Sequence, residues 1–440
     1  MIQPQIIKCS AREILDSRGN PTVEATVVLS DGAIGVASVP SGASTGIYEA
    51  VERRDGDPKR YGGKGVLGAV GSVCKQISLE IAGCYSAEQS TIDRIMCELD
   101  GTENKARLGA NATLAVSLAN ARACAASYKL PLFKHIGGSR AVRLPIPMMN
   151  ILNGGAHASN NVEIQEFMIA PIGAPSFSDA LRMGSEIYHT LGKILSGRGL
   201  STSIGDEGGY APNLESDSVA IEYIIEAIEK SGYSTSEVRI ALDVAASEWY
   251  NSDGDIYELP KRRIRQTREE LMDYYSSLVD KYPIFSIEDP LDQRDFEGWA
   301  EITRRLGERV MIVGDDLFVT NPQRLREGIR VGAANSILVK PNQIGTLSEV
   351  IEVTDIASSA GYSFILSHRS GETEDTSIAD IAVGTGAAFI KAGAPSRSDR
   401  VAKYNRLMRI ELSLGSSARY GLNSEGIEPT ATTHCGDQNL

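Results

Sequence analysis

The first part of the chain combines short β-rich runs with helical periodicity. Residues 22–29 and 33–39 are rich in β-branched side chains, and Ser30-Asp31-Gly32 joins them in a connection of hairpin length. Apolar residues then recur at three- and four-residue spacings, which predicts helices near 66–82, 87–98 and 110–128. We therefore expect an antiparallel sheet with helices packed on it, an α+β domain over residues 1–135.

From residue 235 onward the pattern changes, and short apolar runs alternate with helical stretches. Each run ends at a polar or charged residue, in the order Asp243, Glu288, Asp315, Lys340, His368 and Lys391. The first interval is the longest because it contains an inserted loop or small hairpin at 250–263. Apolar strands that alternate with helices predict a parallel sheet, and six consecutive units favour a (β/α)8, TIM-like barrel over 136–440. A doubly wound open sheet is the structural alternative.

Three carboxylates follow successive strands, and in a barrel the carboxyl ends of the strands form one face, where the active site lies. Asp243, Glu288 and Asp315 would therefore meet, and their mutual repulsion calls for a cation. An all-oxygen set with no nearby Cys or paired His favours Mg²⁺ or Mn²⁺ over Zn²⁺. The alternative is that each acid caps a helix or lies in a solvated loop.

Lys340 follows three apolar residues, so we expect its ammonium to lie inside the same barrel mouth. Burial and neighbouring cations would lower its pKa, as a general base requires. The alternative is a lysine at the barrel rim whose ammonium reaches solvent. Arg369 and Lys391 add two cations that together could hold a carboxylate and a phosphate.

Three glycine-containing loops are ambiguous when each is considered alone. Residues 205–209 place Asp206 and Glu207 between glycines, which allows a carboxylate to approach a ligand closely, but an acidic turn has the same pattern. Residues 41–46 fit a mobile lid or a plain connection, and they lack the Gly-Lys-Ser/Thr end of a P-loop. His157 follows a glycine pair and would more often be a surface residue than a catalyst.

Composition narrows the class of protein. Acidic residues outnumber basic ones by 57 to 44 for a net charge of -13, which disfavours non-specific nucleic-acid binding. We find neither a secretory signal nor an apolar run long enough to span a bilayer, so we expect a cytoplasmic protein without membrane insertion. The six cysteines form no C-x-x-C pair and are too sparse for a disulfide framework, which favours a reducing compartment.

Taken together, the motifs resemble those of the enolase family, the glycolytic 2-phosphoglycerate dehydratases. The matching segments, in family order, are SGASTG (41–46), NGGAHASNNVEIQEFMI (153–169), GDEGGYAPN (205–213), LDVAASE (242–248), SIEDP (286–290), GDDLFVTNP (314–322), KPNQIGT (340–346), SHRSGETED (367–375) and IKAGAPSRSDR (390–400). The resemblance covers nearly the whole chain. It implies an N-terminal α+β capping domain and an atypical eight-stranded barrel whose first strands include an antiparallel pair.

The resemblance also implies a role for each matched residue around 2-phosphoglycerate or phosphoenolpyruvate. Two Mg²⁺ ions per active site are implied, the first held by Asp243, Glu288 and Asp315 and the second by Ser44. Lys340 would be the general base and Glu207 the general acid. The further implied site residues are Glu166 and His157 as catalytic residues, Gln165 and His368 as substrate-binding residues, Arg369 and Ser370 at the phosphate, and Lys391 at the substrate carboxylate.

As for partners, the resemblance implies a homodimer or an octamer built from dimers, with no nucleic acid required. It also admits a cell-surface or secreted pool beside the cytoplasmic one. One rival is a related enzyme that removes a proton beside a carboxylate on a substrate without phosphate, and Arg369-Ser370 argue against it. Another is a surface receptor or structural protein, as some enolases bind plasminogen, but here every matched catalytic position is occupied.

Overall fold

The computed structural model describes residues 3–42 and 46–421. Its N-terminal sheet consists of β1 (Ile6–Leu15), β2 (Pro21–Leu29) and β3 (Ile34–Ser38), paired antiparallel in that order. The predicted hairpin is confirmed as β2 and β3, whereas β1 was missed. Its buried and exposed positions do not alternate, so β1 lacks the period-two signal of a half-buried strand.

The helices of the N-terminal domain lie close to the predicted positions. They are α1 (Leu67–Ser72), α2 (Ser78–Glu80), α3 (Gln89–Asp100), α4 (Ala110–Ser127) and α5 (Leu132–Gly137), with a π-helical turn at Val73–Ile77 between the first two. The alanine-rich α4 is buried along nearly its whole length and packs against β2 and β3. Small side chains permit this close approach of helix and sheet.

The C-terminal region forms a closed eight-stranded barrel, as predicted. Its strands are β5 (Ile146–Asn153), β6 (Glu166–Ala170), β7 (Arg239–Asp243), β11 (Ile284–Glu288), β12 (Met311–Gly314), β13 (Ser336–Val339), β14 (Ser363–Ser367) and β15 (Phe389–Lys391). Around the barrel, β6 alone runs antiparallel to its neighbours, β5 and β7. The open-sheet alternative is therefore wrong, and the implied antiparallel irregularity is confirmed.

The remaining elements surround the barrel or extend from it. The helices are α6 (Phe177–Gly197), α7 (Asp217–Lys230), α8 (Arg268–Lys281), α9 (Phe296–Leu306), α10 (Pro322–Val331), α11 (Pro341–Ile344), α12 (Leu347–Ser359), α13 (Ser377–Thr385) and α14 (Ser398–Leu414). Short 3₁₀ turns occur at Tyr61–Gly63, Gly138–Arg140, Gly155–His157, Ala246–Trp249 and Gly415–Ser417. β4 (Arg143–Leu144) pairs with β16 (Arg419–Tyr420), and the inserted segment forms a sheet of β8 (Tyr250–Asn251), β9 (Ile256–Leu259) and β10 (Ile264–Gln266).

The two regions meet at the end of the barrel where the parallel strands finish. Ser41 and Gly371 exchange backbone hydrogen bonds of 2.8 and 2.9 Å, and the Thr113 hydroxyl donates to the carbonyl of Gly345 at 2.9 Å. Since Gly345 and Gly371 follow β13 and β14, the N-terminal domain lies over the barrel mouth. None of the described helices is long and apolar enough to cross a membrane.

Candidate active site

Three neighbouring strands place a row of carboxylates at the barrel mouth. Glu166 on β6 and Glu288 on β11 both pair in register with Asp243, which ends β7 between them. All three side chains are buried. Residues in register on adjacent strands project to the same side, so the closed barrel aligns three acids that are distant in sequence.

Lys391 crosses the mouth to this row of acids. Its Nζ lies 2.7 Å from Asp243 Oδ2, 2.8 Å from Glu288 Oε1 and 3.4 Å from Glu166 Oε2. Burial alone would lower the pKa of the ammonium, but these carboxylates outweigh burial and hold it well above its usual value. Lys391 therefore supplies positive charge that the buried acids require.

Lys340 follows β13, and its ammonium donates to Oδ2 of Asp315, the first residue after β12. Burial and Arg369 would lower the pKa of Lys340, but the Asp315 carboxylate outweighs them and raises it. The expectation that neighbouring cations lower this pKa is thus wrong, because Asp315 raises it. A carboxylate in direct contact favours the charged form more than the surrounding cations disfavour it.

Across the mouth, His157 lies between two glutamates. Its Nδ1 is 3.4 Å from Glu166 Oε1 and 3.9 Å from Glu207 Oε1. Burial and the nearby Glu207 raise the pKa of Glu166 to about 7. Burial alone would also raise the pKa of Glu207, but electrostatic interactions with His368, His157, Arg400 and Lys391 hold it well below its usual range. Two acids with such different pKa values suit different steps of proton transfer.

The loop that carries Glu207 is held at both ends and at its centre. Gly205 N–H donates to the carbonyl of Gly209 at 2.9 Å, and the Tyr188 hydroxyl donates to the carbonyl of Gly208 at 2.8 Å. The amide of Asn150 on β5 donates to Oε2 of Glu207 at 3.2 Å. The carboxylate is therefore positioned by the barrel and by helix α6.

Arg400, which is fully buried on α14, fixes the proton position of His368. Its guanidinium contacts His368 Nδ1 and the carbonyls of Arg369 and Ser370. A guanidinium can only donate, so Nδ1 of His368 must accept and the ring proton lies on Nε2. Nε2 is 3.5 Å from Glu207 Oε2, and the neutral ring directs its N–H toward that carboxylate.

Arg369 forms a buried ion pair with Glu49, from the segment that follows the SGASTG motif. The two Nη atoms lie 2.8 and 3.2 Å from the two carboxylate oxygens of Glu49, and Nη1 also donates to Asn342 Oδ1 at 3.2 Å. Burial would lower the pKa of Arg369, but Glu49 outweighs it and raises the pKa. Such a two-point geometry is the one by which arginine binds carboxylate or phosphate.

The acids of the mouth fit a hard divalent cation. Oε2 of Glu288 is buried without a hydrogen-bond partner among the described residues. Burial, Asp243, Asp315 and Glu166 raise the pKa of Glu288 well above its usual value, a sign of excess negative charge. Asp289, Asp315 and Asp316 form a second compact acidic group whose oxygens lie within 4.8 Å of one another. Oxygen donors in this number suit Mg²⁺ or Mn²⁺.

The structure brings nearly all the sequence-predicted site residues to this mouth. Those that line it are His157, Gln165, Glu166, Glu207, Asp243, Asp315, Lys340, His368, Arg369, Ser370 and Lys391, and Glu288 joins them through Lys391. The three predicted metal ligands do not form one close set, because Lys391 pairs with two of them and Lys340 with Asp315. Ser44, the predicted ligand of a second ion, lies outside the described residues.

Sequence reasoning missed several residues that shape the site. Glu49 and Arg400 contact Arg369 or His368, and Asp289 accepts the backbone N–H groups of Asp315 and Asp316 at 2.9 Å each. Asp289 and Arg400 belong to the matched motifs SIEDP and IKAGAPSRSDR, so their motif membership was the available signal. Glu49 had none, because its partner is remote in sequence.

Comparison with known protein families agrees with this geometry. Residues 6–136 match the family model described as enolase, N-terminal domain. Residues 141–427 match the model described as enolase, C-terminal TIM barrel domain. The two matches follow one another in sequence and together span nearly the whole chain.

Proposed function

Since the chain belongs to the enolase family and is an enolase-type lyase, we propose that it catalyses the reversible dehydration of 2-phospho-D-glycerate to phosphoenolpyruvate and water. This is the step that glycolysis and gluconeogenesis share. The observation that carries the proposal is the placement of a lysine opposite an acidic group. Lys340 follows β13, and in the closed barrel β13 stands across from β6, the strand of Glu166.

In the proposed reaction, Lys340 Nζ takes the proton from carbon 2. The electron pair of that C–H bond first delocalises into the substrate carboxylate, and in a later step it forms the double bond to carbon 3 as the bond from carbon 3 to the hydroxyl oxygen breaks. Glu207 gives a proton to the departing oxygen, which leaves as water. The pKa of Glu207 lies well below its usual range, and the negative carboxylate and phosphate of the substrate would raise it toward the value that an acid requires.

The remaining residues bind and orient the substrate in this proposal. Arg369 and Ser370 hold the phosphate, and Lys391 contacts the carboxylate from the floor of the mouth. His368, His157, Glu166 and Gln165 surround the reacting carbons. These side chains are buried or nearly so, and burial strengthens every charge interaction among them.

We propose that Asp243, Glu288 and Asp315 hold one Mg²⁺ and that Ser44 contributes to a second. Bound Mg²⁺ would supply positive charge to the substrate carboxylate as the proton leaves, and it would neutralise the Asp315 carboxylate that keeps Lys340 protonated. The orphan oxygen of Glu288 and its raised pKa support the first ion.

The test is turnover of 2-phosphoglycerate to phosphoenolpyruvate by the purified chain. We expect turnover with Mg²⁺, none after exhaustive chelation, and recovery when Mg²⁺ is restored. Asp315→Ala should require more Mg²⁺ while the protein stays folded, and the exposed Asp253→Ala should behave like the parent. Full turnover by metal-free protein would contradict the metal role. Preference for glycerate over its phosphate ester would favour the related enzyme without a phosphate site.

We further propose a cytoplasmic homodimer, alone or within an octamer. The support for an assembly is the membership of the chain in the enolase family. Sedimentation equilibrium should give at least twice the 47.2 kDa chain mass. A monomeric mass at all concentrations would rule this assembly out.

A further inference from the structure

The inserted segment that interrupts the barrel rhythm carries a basic turn at its tip. β9 and β10 form an antiparallel pair, and residues 260–263 connect them. Lys261 and Arg262 lie in this turn and are half-buried, whereas most of the surrounding turn and β10 is exposed. The turn contacts the segment that joins β5 to β6, which carries His157.

Lys261 places all three of its donors on that segment. Nζ donates to the carbonyl of Gly155 at 2.7 Å, to the carbonyl of Ala158 at 3.1 Å and to Oδ1 of Asn160 at 3.3 Å. An ammonium has three N–H groups, so its hydrogen-bonding capacity is filled. The two carbonyls lie on either side of His157 in sequence. Lys261 therefore bridges the two ends of the turn that carries this histidine.

Arg262 attaches the tip of the inserted sheet to Glu163 and to the buried Asp217. Its backbone N–H donates to Oε1 of Glu163 at 2.5 Å, and its guanidinium binds Oδ2 of Asp217. Asp217 is fully buried, and its Oδ1 accepts the N–H of Glu163 at 3.0 Å. Tyr274 on α8 donates to the same aspartate at 2.9 Å. These contacts fix the tip of the inserted sheet independently of the contacts that Lys261 makes with the segment that carries His157.

Other hydrogen bonds attach the segment on either side of His157, and Lys261 adds to them. Gly154 and Gly155 donate to the carbonyls of Gln165 and Val162 at 2.9 Å each. Gly155 has a φ of 49° and comes so close to Gln165 that an added Cβ would meet its Cα at 2.9 Å. The Asn160 amide also donates to the carbonyls of Asn153 and Pro212 at 2.8 and 3.0 Å, and a 3₁₀ turn at Gly155–His157 carries the histidine.

We propose that Lys261 is a positioning residue that holds the 154–160 segment and thereby places His157 between Glu166 and Glu207. The ammonium donates hydrogen bonds to two carbonyls and a side-chain oxygen. Its removal would therefore free the turn that carries the histidine. This inference rests on the proposed function, in which His157 borders the substrate. It gives the inserted sheet a role in the reaction although none of its residues lines the mouth.

The test compares Lys261→Met with Arg265→Met in the full-length protein. Methionine keeps a long unbranched side chain but removes the ammonium. Arg265 lies in the same sheet, its side chain is 72% exposed, and it pairs with Glu258 instead of the segment. Amide hydrogen exchange of residues 154–163 without substrate should be faster in Lys261→Met and unchanged in Arg265→Met. Equal exchange in both variants would overturn the proposal.

Kinetics on 2-phosphoglycerate provide the second readout. We expect kcat of Lys261→Met to fall by up to about 100-fold, the effect of displacing a positioned group by an ångström. KM should change much less, because Arg369, Ser370 and Lys391 bind the charged ends of the substrate. Unchanged kcat, or a loss confined to KM, would overturn the positioning role. If the parent protein does not turn over 2-phosphoglycerate, the proposed function fails, and hydrogen exchange alone decides whether Lys261 holds the segment.

Discussion

At the scale of single residues, the Glu49 carboxylate binds Arg369, the arginine that the proposed function assigns to the phosphate of the substrate. Its carboxylate forms a two-point ion pair with Arg369 and also accepts from Gly46 N–H at 3.1 Å and Gln343 Nε2 at 3.3 Å. A carboxylate and a phosphate bind an arginine through the same fork of N–H groups. The substrate must therefore compete with Glu49 or share the guanidinium with it.

Glu49→Gln should bind inorganic phosphate more tightly than the parent protein. The substitution weakens the competing contact of residue 49 with Arg369 by about one charged hydrogen bond, or ~1.5–3 kcal/mol. The affinity for phosphate should therefore rise about tenfold or more. The measurement is competitive inhibition by phosphate, with Glu103→Gln as the exposed control. Unchanged or weaker phosphate binding by Glu49→Gln would show that Glu49 supports the anion site instead of competing for it.

Residue placement could be predicted where a strand end and a motif coincided. Asp243, Glu288 and Lys391 end their strands, and Asp315 and Lys340 follow theirs by one residue, as the apolar runs indicated. The partner of each charge could not be predicted. Which carboxylate an ammonium contacts depends on side-chain reach across the closed barrel, and this explains why the raised pKa of Lys340 was unexpected.

At the scale of elements, the N-terminal domain depends on the close contact of β3 with α4. An added Cβ on Gly35 would lie 2.0 Å from the carbonyl oxygen of Ala119 and 2.3 Å from the amide nitrogen of Ala123. Both atoms belong to the helix backbone, which cannot move aside as a flexible side chain can. Glycine at this strand position therefore sets the spacing between helix and sheet.

Gly35→Ala should destabilise the protein by ~1–3 kcal/mol, the cost of overpacking a filled core. Gly71→Ala is the matched control, since its added Cβ would meet no atom within 4 Å and it lies inside α1. Alanine there should leave stability unchanged or raise it by ~0.5–1 kcal/mol. Urea denaturation midpoints compare the two variants, and equal midpoints would mean that α4 shifts to accommodate the methyl group.

Helices and strands whose apolar residues recur at a regular spacing were predicted, and those without such a spacing were not. The helices near 66–82, 87–98 and 110–128 and the last six barrel strands follow apolar spacing. β5 is buried at every position, so its sequence gives no alternation to distinguish it from a helical run. The reversed direction of β6 came from family resemblance alone, because strand direction leaves no local trace in residue order.

At the scale of the whole molecule, closure of the barrel brings three cations and a set of carboxylates together at one mouth. The chain has a net charge of -13, yet Lys340, Arg369 and Lys391 all line one mouth. Three carboxylates from adjacent strands and Glu207 from a loop complete it. Glu207 lies between α6 and α7 and Lys340 follows β13, so the proposed reaction requires the closed barrel to place both around one substrate.

Exchange of the carbon-2 proton of 2-phosphoglycerate in deuterated water tests that account most directly. The measurement follows the loss of the proton's NMR signal with Mg²⁺ and each variant. Lys340→Ala should stop both exchange and dehydration, because the base acts first. Glu207→Gln should lower dehydration by ~10²- to 10⁴-fold, as expected for loss of a general acid, while exchange continues. Rapid exchange with Lys340→Ala, or none with Glu207→Gln, would contradict the assignment of base and acid to these residues.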